Sequence, residues 1–126
     1  MKYPSITKKI LSEGITSINP EALPQHLRKE IFSEAAVSLF KEKRHKEASK
    51  SLKIANNPEL ALELTAYLEK AALFQTAALY APHTENAEKI EYLAFICLEN
   101  EYFQESTMLF QHLGREEMIQ FIEANK

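Results

Sequence analysis

RHKEAS (Arg44–Ser49), LFQTAA (Leu73–Ala78) and YFQEST (Tyr102–Thr107) follow one another at an interval of 29 residues. A fixed period of this size marks a helical array. Aligning 28–56, 57–85 and 86–114 puts like residues in columns: Glu30, Glu59 and Glu88; Ala36, Thr65 and Ala94; Leu39, Leu68 and Cys97. Further on come His45, Phe74 and Phe103; Lys46, Gln75 and Gln104; Ala48, Ala77 and Ser106. RKEIF from Arg28 and REEMI from Arg115 are three periods apart. Each repeat reads as two helices. Small residues let the two approach closely, and an aromatic residue or His opens the second helix and fills the space between hairpins. A lone hairpin leaves its apolar face uncovered; stacked neighbours bury it.

Composition agrees. Ala, Leu, Glu and Lys dominate, all good helix formers. There are two glycines, no tryptophan and few valines, which leaves little material for strands. The fold class expected is all-α, an α-solenoid of three helical hairpins in a right-handed stack, with an N-terminal helix and a C-terminal capping helix. The 126 residues suit a single domain, read as 1–23 (helix and linker) and 24–126 (repeats). The lone cysteine, Cys97, excludes an internal disulfide. No apolar run approaches the ~20 residues of a membrane span, and the N-terminus lacks the apolar core of a secretory signal. A cytoplasmic protein is expected.

Punctuation places the helices. Asn57 and Pro58 form a cap and first-turn pair. Pro82 ends a helix, and Thr84 or Asn86 caps the next. Gly114 suits a left-handed position after a helix, and Gly14 closes a short amphipathic one. The predicted helices are 5–13, 24–43, 45–56, 58–72, 74–81, 86–100, 102–113 and 115–124. Phe74 and Phe103 are expected to be buried between hairpins.

At these columns the chain resembles the tetratricopeptide-like superfamily of α-solenoids. Ala36, Leu39, His45, Ala48, Leu52 and Ala55 carry the likeness in the first repeat. Thr65, Leu68, Phe74, Ala77 and Ala81 carry it in the second, and Ala94, Cys97, Phe103, Ser106, Phe110 and Leu113 in the third. LEKAALFQTAALY (Leu68–Tyr80) also looks like hairpins of clathrin- and coatomer-type trafficking solenoids. The period is shorter than the superfamily's usual ~34, and its glycine and tryptophan columns are empty here. The resemblance implies a groove lined by the first helices that holds a peptide or helix. Carried over, its positions are Ser33, Val37, Phe40 and Lys41; Leu62, Ala66, Glu69 and Lys70; Glu91, Phe95, Leu98 and Glu99. The alternative is that Phe40, Leu62, Phe95 and Leu98 are core, covered by Ile6, Ile10 and Leu11 of the N-terminal helix. YLAFICL (Tyr92–Leu98) is apolar nearly all round, as in a helix buried on every side or held in an interface.

Charge is uneven. Residues 1–58 hold eleven Lys or Arg against six Glu, whereas 85–126 hold three against nine. Lys41, Lys43, Arg44, Lys46, Lys50 and Lys53 form a basic stretch. It suits phosphates or an acidic surface, or is simply a solvated face.

Catalysis has little to work with. Aspartate is absent, and there is no Gly-rich phosphate loop or HExxH motif. His26, His45, His83 and His112 lack metal-ligand spacing, and Cys97 sits in an apolar helix. The expectation is a non-enzymatic protein-binding module (adaptor, scaffold or small chaperone) with no cofactor and no metal, docking a helix or peptide segment of another protein. The alternatives are an RNA- or ribosome-associated factor using the basic stretch, and a homo-oligomer that closes the groove on its own copy. No membrane partner is expected.

Overall fold

A computed structural model describes residues 2–126 of the chain. They form eight α-helices: α1 (Pro4–Glu13), α2 (Gln25–Lys41), α3 (His45–Ala55), α4 (Pro58–Lys70), α5 (Phe74–Tyr80), α6 (Ala87–Glu99), α7 (Phe103–Leu113) and α8 (Glu116–Asn125). Among the described residues there is no strand. The fold is all-α, and its helices pack in neighbouring pairs. Every predicted helix is present, with ends shifted by no more than two residues. The segment read as a linker carries two 3₁₀ turns, Ile15–Ser17 and Pro20–Ala22, and Pro82 sits in a third, Ala81–Thr84.

Residues in the left-handed backbone region mark the period. Lys43 (φ 61°), Ala72 (57°) and Glu101 (62°) each reverse the chain between the two helices of a repeat. Asn56 (51°), Glu85 (54°) and Gly114 (71°) follow the second helix of each. At the first set the hydrogen bonds are the same every time. The N–H groups of Arg44, Leu73 and Tyr102 donate to the carbonyls of Leu39, Leu68 and Cys97, at 2.8–2.9 Å. Those of Lys43, Ala72 and Glu101 donate to Phe40, Glu69 and Leu98, at 2.9–3.0 Å. This pair of bonds satisfies carbonyls that a helix end otherwise leaves orphaned. Arg115 and Gly114 repeat the pattern on Phe110 and Gln111. A left-handed Lys, Ala or Glu costs about 1–2 kcal/mol, and the paired bonds offset it.

Once the turn is fixed, each helix of a repeat buries one stripe. The first helices use Phe32, Ala35, Ala36 and Leu39; Ala61, Leu64, Thr65 and Leu68; Ile90, Leu93, Ala94 and Cys97. All are buried. The second helices use Ala48, Ser51, Leu52 and Ala55; Ala77, Tyr80, Ala81 and Thr84; Ser106, Leu109, Phe110 and Leu113. All but Leu113 are buried. The spacing is i, i+3, i+4, i+7 throughout. Buried hydroxyls are satisfied locally: Ser51 donates to the Phe32 carbonyl (2.6 Å), Ser106 to Ala94 (2.9 Å) and Thr65 to Ala61 (2.7 Å).

Phe74 and Phe103 differ from expectation, for both are half-buried. Each is the first residue of its helix, beside the turn, where a ring keeps one side in solvent. The fully buried rings are Phe32, Tyr80 and Phe110, deeper along the stripes.

The chain divides into two compact units, 1–60 and 61–126. In the first, α1 packs on α2 and the α2–α3 hairpin closes beneath it. Ile10, Ile31, Phe32, Ala35 and Ala55 form the core there, with Ile6, Leu27 and Ile54 against it. Two carboxylates fasten the N-terminal segment. Glu34 accepts the N–H groups of Lys2 (2.7 Å) and Tyr3 (3.2 Å), and Glu30 accepts the Tyr3 hydroxyl (2.8 Å). The Asn57 side chain accepts from the Leu60 N–H (3.2 Å), capping α4 as predicted.

In the second unit α5, α6, α7 and α8 pack successively. Helix α8 continues the columns: Ile119 after Ile90, Ile122 after Leu93, Glu123 after Ala94 and Lys126 after Cys97. Ile122 is buried, but Glu123 and Lys126 are exposed and pair with each other at 2.9 Å. Charge therefore occupies columns that are small or apolar in the three repeats.

Four substitutions test this account of stability. Phe110→Ala should cost about 3–5 kcal/mol, and Phe103→Ala clearly less, measured by urea denaturation. Ala72→Gly should stabilise by about 0.5–1 kcal/mol, because relief of the left-handed penalty exceeds glycine's entropic cost. Gly114→Ala should destabilise by about 1 kcal/mol, since its Cβ would meet open space and only the backbone resists. Equal midpoints for all three turn sequences would contradict the assignment of left-handed positions.

Candidate functional site

Helix α6 starts at Asn86, whose side chain accepts from the Lys89 N–H at 3.1 Å. Its stripe Ile90, Leu93, Ala94 and Cys97 is spent on the core. The apolar run extends beyond that stripe, so Tyr92 and Phe95 are left on another face, 52% and 37% exposed. Around them lie Ile96, Glu88, Glu91 and Glu99, which together line one shallow depression. The Phe95 ring stands edge-on to buried Phe110, centroids 5.1 Å apart at 78°. It is thus held from beneath and open above, a rigid apolar anchor that carries little entropy penalty on docking.

Electrostatics frame the depression. Glu91 receives Arg115 at 2.6 Å, and Arg115 also binds Glu117. The hydrogen bond from Arg115 holds the Glu117 carboxyl below its ordinary value. Lys89 lies over the Tyr92 ring at 5.5 Å but is tied to Glu69 of α4 at 2.9 Å. Glu88 and Glu99 are exposed and, among the described residues, form no salt bridge.

The residues predicted to line a groove fall as follows. Glu91, Phe95 and Glu99 come together at the α6 depression. Leu98, on the same helix, is half-buried. On α4, Leu62 is 38% exposed, Ala66 and Glu69 are half-buried and Lys70 is exposed. In the first unit Val37 and Phe40 are half-buried and Lys41 is exposed. The Phe40 ring meets His45 edge-on at 5.4 Å, and Ser33 accepts from the Asn57 amide at 3.0 Å. Burial and the neighbouring Lys43 push the His45 imidazole below its ordinary value. Ile6 and Ile10 pack in the cluster around Ile31 and Ala35.

Tyr92, the largest exposed ring on α6, was missed in the sequence. So were Tyr67, Leu73 and Phe121, which are also exposed. A signal existed, since Tyr92 and Phe121 share a column that holds Glu34 and Glu63 in the earlier repeats.

The basic stretch divides. Lys41, Lys43, Lys46, Lys50 and Lys53 are exposed, and Lys46, Lys50 and Lys53 follow one face of α3. Arg44 does not join them. Its guanidinium donates to the Leu11 carbonyl (2.8 Å) and pairs with Glu47 (2.8 Å) and Glu42 (3.3 Å). It ties α1 to the hairpin turn.

Cys97 is buried, its Sγ 3.9 Å from the Phe74 carbonyl. Burial, with a smaller contribution from Glu105, pushes its thiol up to about 11. Among the described residues no three His, Cys, Asp or Glu side chains gather closely enough to hold a metal ion, and no helix is long and apolar enough to cross a membrane. No protein-family model matches the chain, and neither a curated protein nor a solved structure matches it.

Native Cys97 should therefore resist alkylation by iodoacetamide near neutral pH and react only as fast as the protein opens. Prompt labelling of the folded protein would contradict its burial.

Proposed function

We propose that this chain is a non-enzymatic protein-interaction module, a tetratricopeptide-like helical array that serves as adaptor, scaffold or small chaperone in the cytoplasm. Its docking face is the Tyr92–Phe95 face of α6. The observation that carries this reading is the exposed pair of rings, Phe95 of them anchored by Phe110 beneath, bordered by glutamates. Rigid aromatic groups on a partly desolvated surface are what binding hot spots use. The regular stripes spend small and aliphatic residues on the core, so aromatics outside them are not required by the hairpins themselves.

A second reading has its own observation: Lys43, Lys46, Lys50 and Lys53 are all exposed and, among the described residues, in no salt bridge. Such a row suits a polyanion, RNA or ribosome, and its binding would weaken steeply as salt rises.

One experiment separates them. Tagged wild-type chain, Phe95→Glu and the triple variant Lys46→Glu/Lys50→Glu/Lys53→Glu are used to capture partners at low and high salt, with and without nuclease. The docking reading expects a protein retained at high salt, insensitive to nuclease and lost with Phe95→Glu. A set of partners lost with salt, nuclease and the lysine variant would replace it with the polyanion reading. Recovery of the bait alone, at twice its mass by sedimentation, would make the face a self-association surface.

A further inference from the structure

We infer that the occupant of the α6 face is a cationic amphipathic helix of another protein; this rests on the docking reading above. Its helical form follows from what the face offers. Helix α6 has its backbone groups bonded within the helix, and the depression is lined by α6 side chains alone. An extended peptide laid on Tyr92 and Phe95 would find no backbone partner there, and those of its N–H and C=O groups turned onto the rings would lose water at about 1–3 kcal/mol each. A helix satisfies its own backbone and brings only side chains. The face from Glu88 to Glu99 spans about 16 Å at 1.5 Å per residue. That accommodates roughly three turns of a partner carrying apolar residues at i, i+3 or i+4, and i+7.

The sign of the partner follows from the border. Glu88 and Glu99 flank the aromatic floor exposed and, among the described residues, in no salt bridge, and Arg115 already engages Glu91. Lys89, on the same helix, is held by Glu69. Residues 61–126 as a whole carry eleven Glu against four Lys or Arg. A partner that covers the depression must meet two free carboxylates as they lose water. Lys or Arg beside its apolar ridge does so, the stems lying along the rings and the charged heads reaching the carboxylates. An acidic helix would meet repulsion at both ends.

A second copy of this chain does not supply such a helix. The lysine row of α3 has Ala48, Ser51, Leu52 and Ala55 buried behind it. In α1, which carries Lys8 and Lys9, Ile10 is spent in the core of the first unit.

The test uses the full chain and three labelled model peptides about four helical turns long, sharing one leucine ridge and differing in the flanks: Leu/Lys, Leu/Glu and Leu/Gln. Binding is read by fluorescence anisotropy at moderate salt, with circular dichroism confirming that each variant is folded. The Leu/Lys peptide should bind about tenfold or more tighter than the other two. Phe95→Ala should weaken it by about tenfold. The double variant Glu88→Lys/Glu99→Lys should lose it and gain the Leu/Glu peptide instead. Equal, Phe95-dependent binding of all three peptides would overturn the cationic assignment and leave the docking face standing. Leu/Lys binding unmoved by Phe95→Ala would overturn it too, as general attraction to an acidic surface. No binding of any peptide would remove the docking face itself.

Discussion

Everything in this fold depends on how the chain reverses between paired helices. A left-handed residue at position 43, 72 or 101 lets two N–H groups reach back to the end of the preceding helix. The reversal fixes which residue of the second helix faces which residue of the first. Each repeat then buries the same positions of its two helices, with small residues at Ala36, Thr65, Ala94, Ala48, Ala77 and Ser106 among them. A turn one residue longer would rotate the second helix by about 100° and swing those stripes toward solvent. The 29-residue period is thus the length of a turn, two stripes and a second turn.

The same constraint decides what is left over for function. Four inward positions per helix use up the residues that the hairpin needs. In the first repeat the remaining surface of α2 is partly occupied by α1, which Glu30, Glu34 and Arg44 hold in place. In the third repeat the sequence places Tyr92 and Phe95 outside the stripe, and Phe110 steadies the second of them. Aromatic surface beside free carboxylates is costly to leave in water and selective in what it accepts. The second unit is acidic and the first carries a row of lysines, so the charge each presents favours a different kind of ligand.

Much of this was legible in the sequence. The small-residue columns, the caps at Asn57 and Asn86 and the helix ends could be read because each rests on local chemistry or on a period. The left-handed positions could not. Their occupants are Lys, Asn, Ala, Glu, Glu and Gly, and only Gly114 announces itself. The backbone there is imposed by the hairpin, not invited by the residue. Phe74 and Phe103 were read as core because a large ring in a repeat column suggests a plug, but a ring at the first position of a helix is kept near the surface by the turn. Arg44 looked like one more cation in a basic run; its fixing by the Leu11 carbonyl involves a residue 33 positions away. Tyr92 was hidden within an apolar run whose two faces, one buried and one open, differ by rotation alone.

The most direct measurement is the solvent access of individual tyrosines in the native chain, by mild nitration read with peptide mass spectrometry. Tyr92 should be modified about as readily as Tyr67, while Tyr80, enclosed in the core, should be spared until the protein unfolds. Protection of Tyr92 in the folded monomer, on a par with Tyr80, would contradict the claim that α6 presents an open aromatic face.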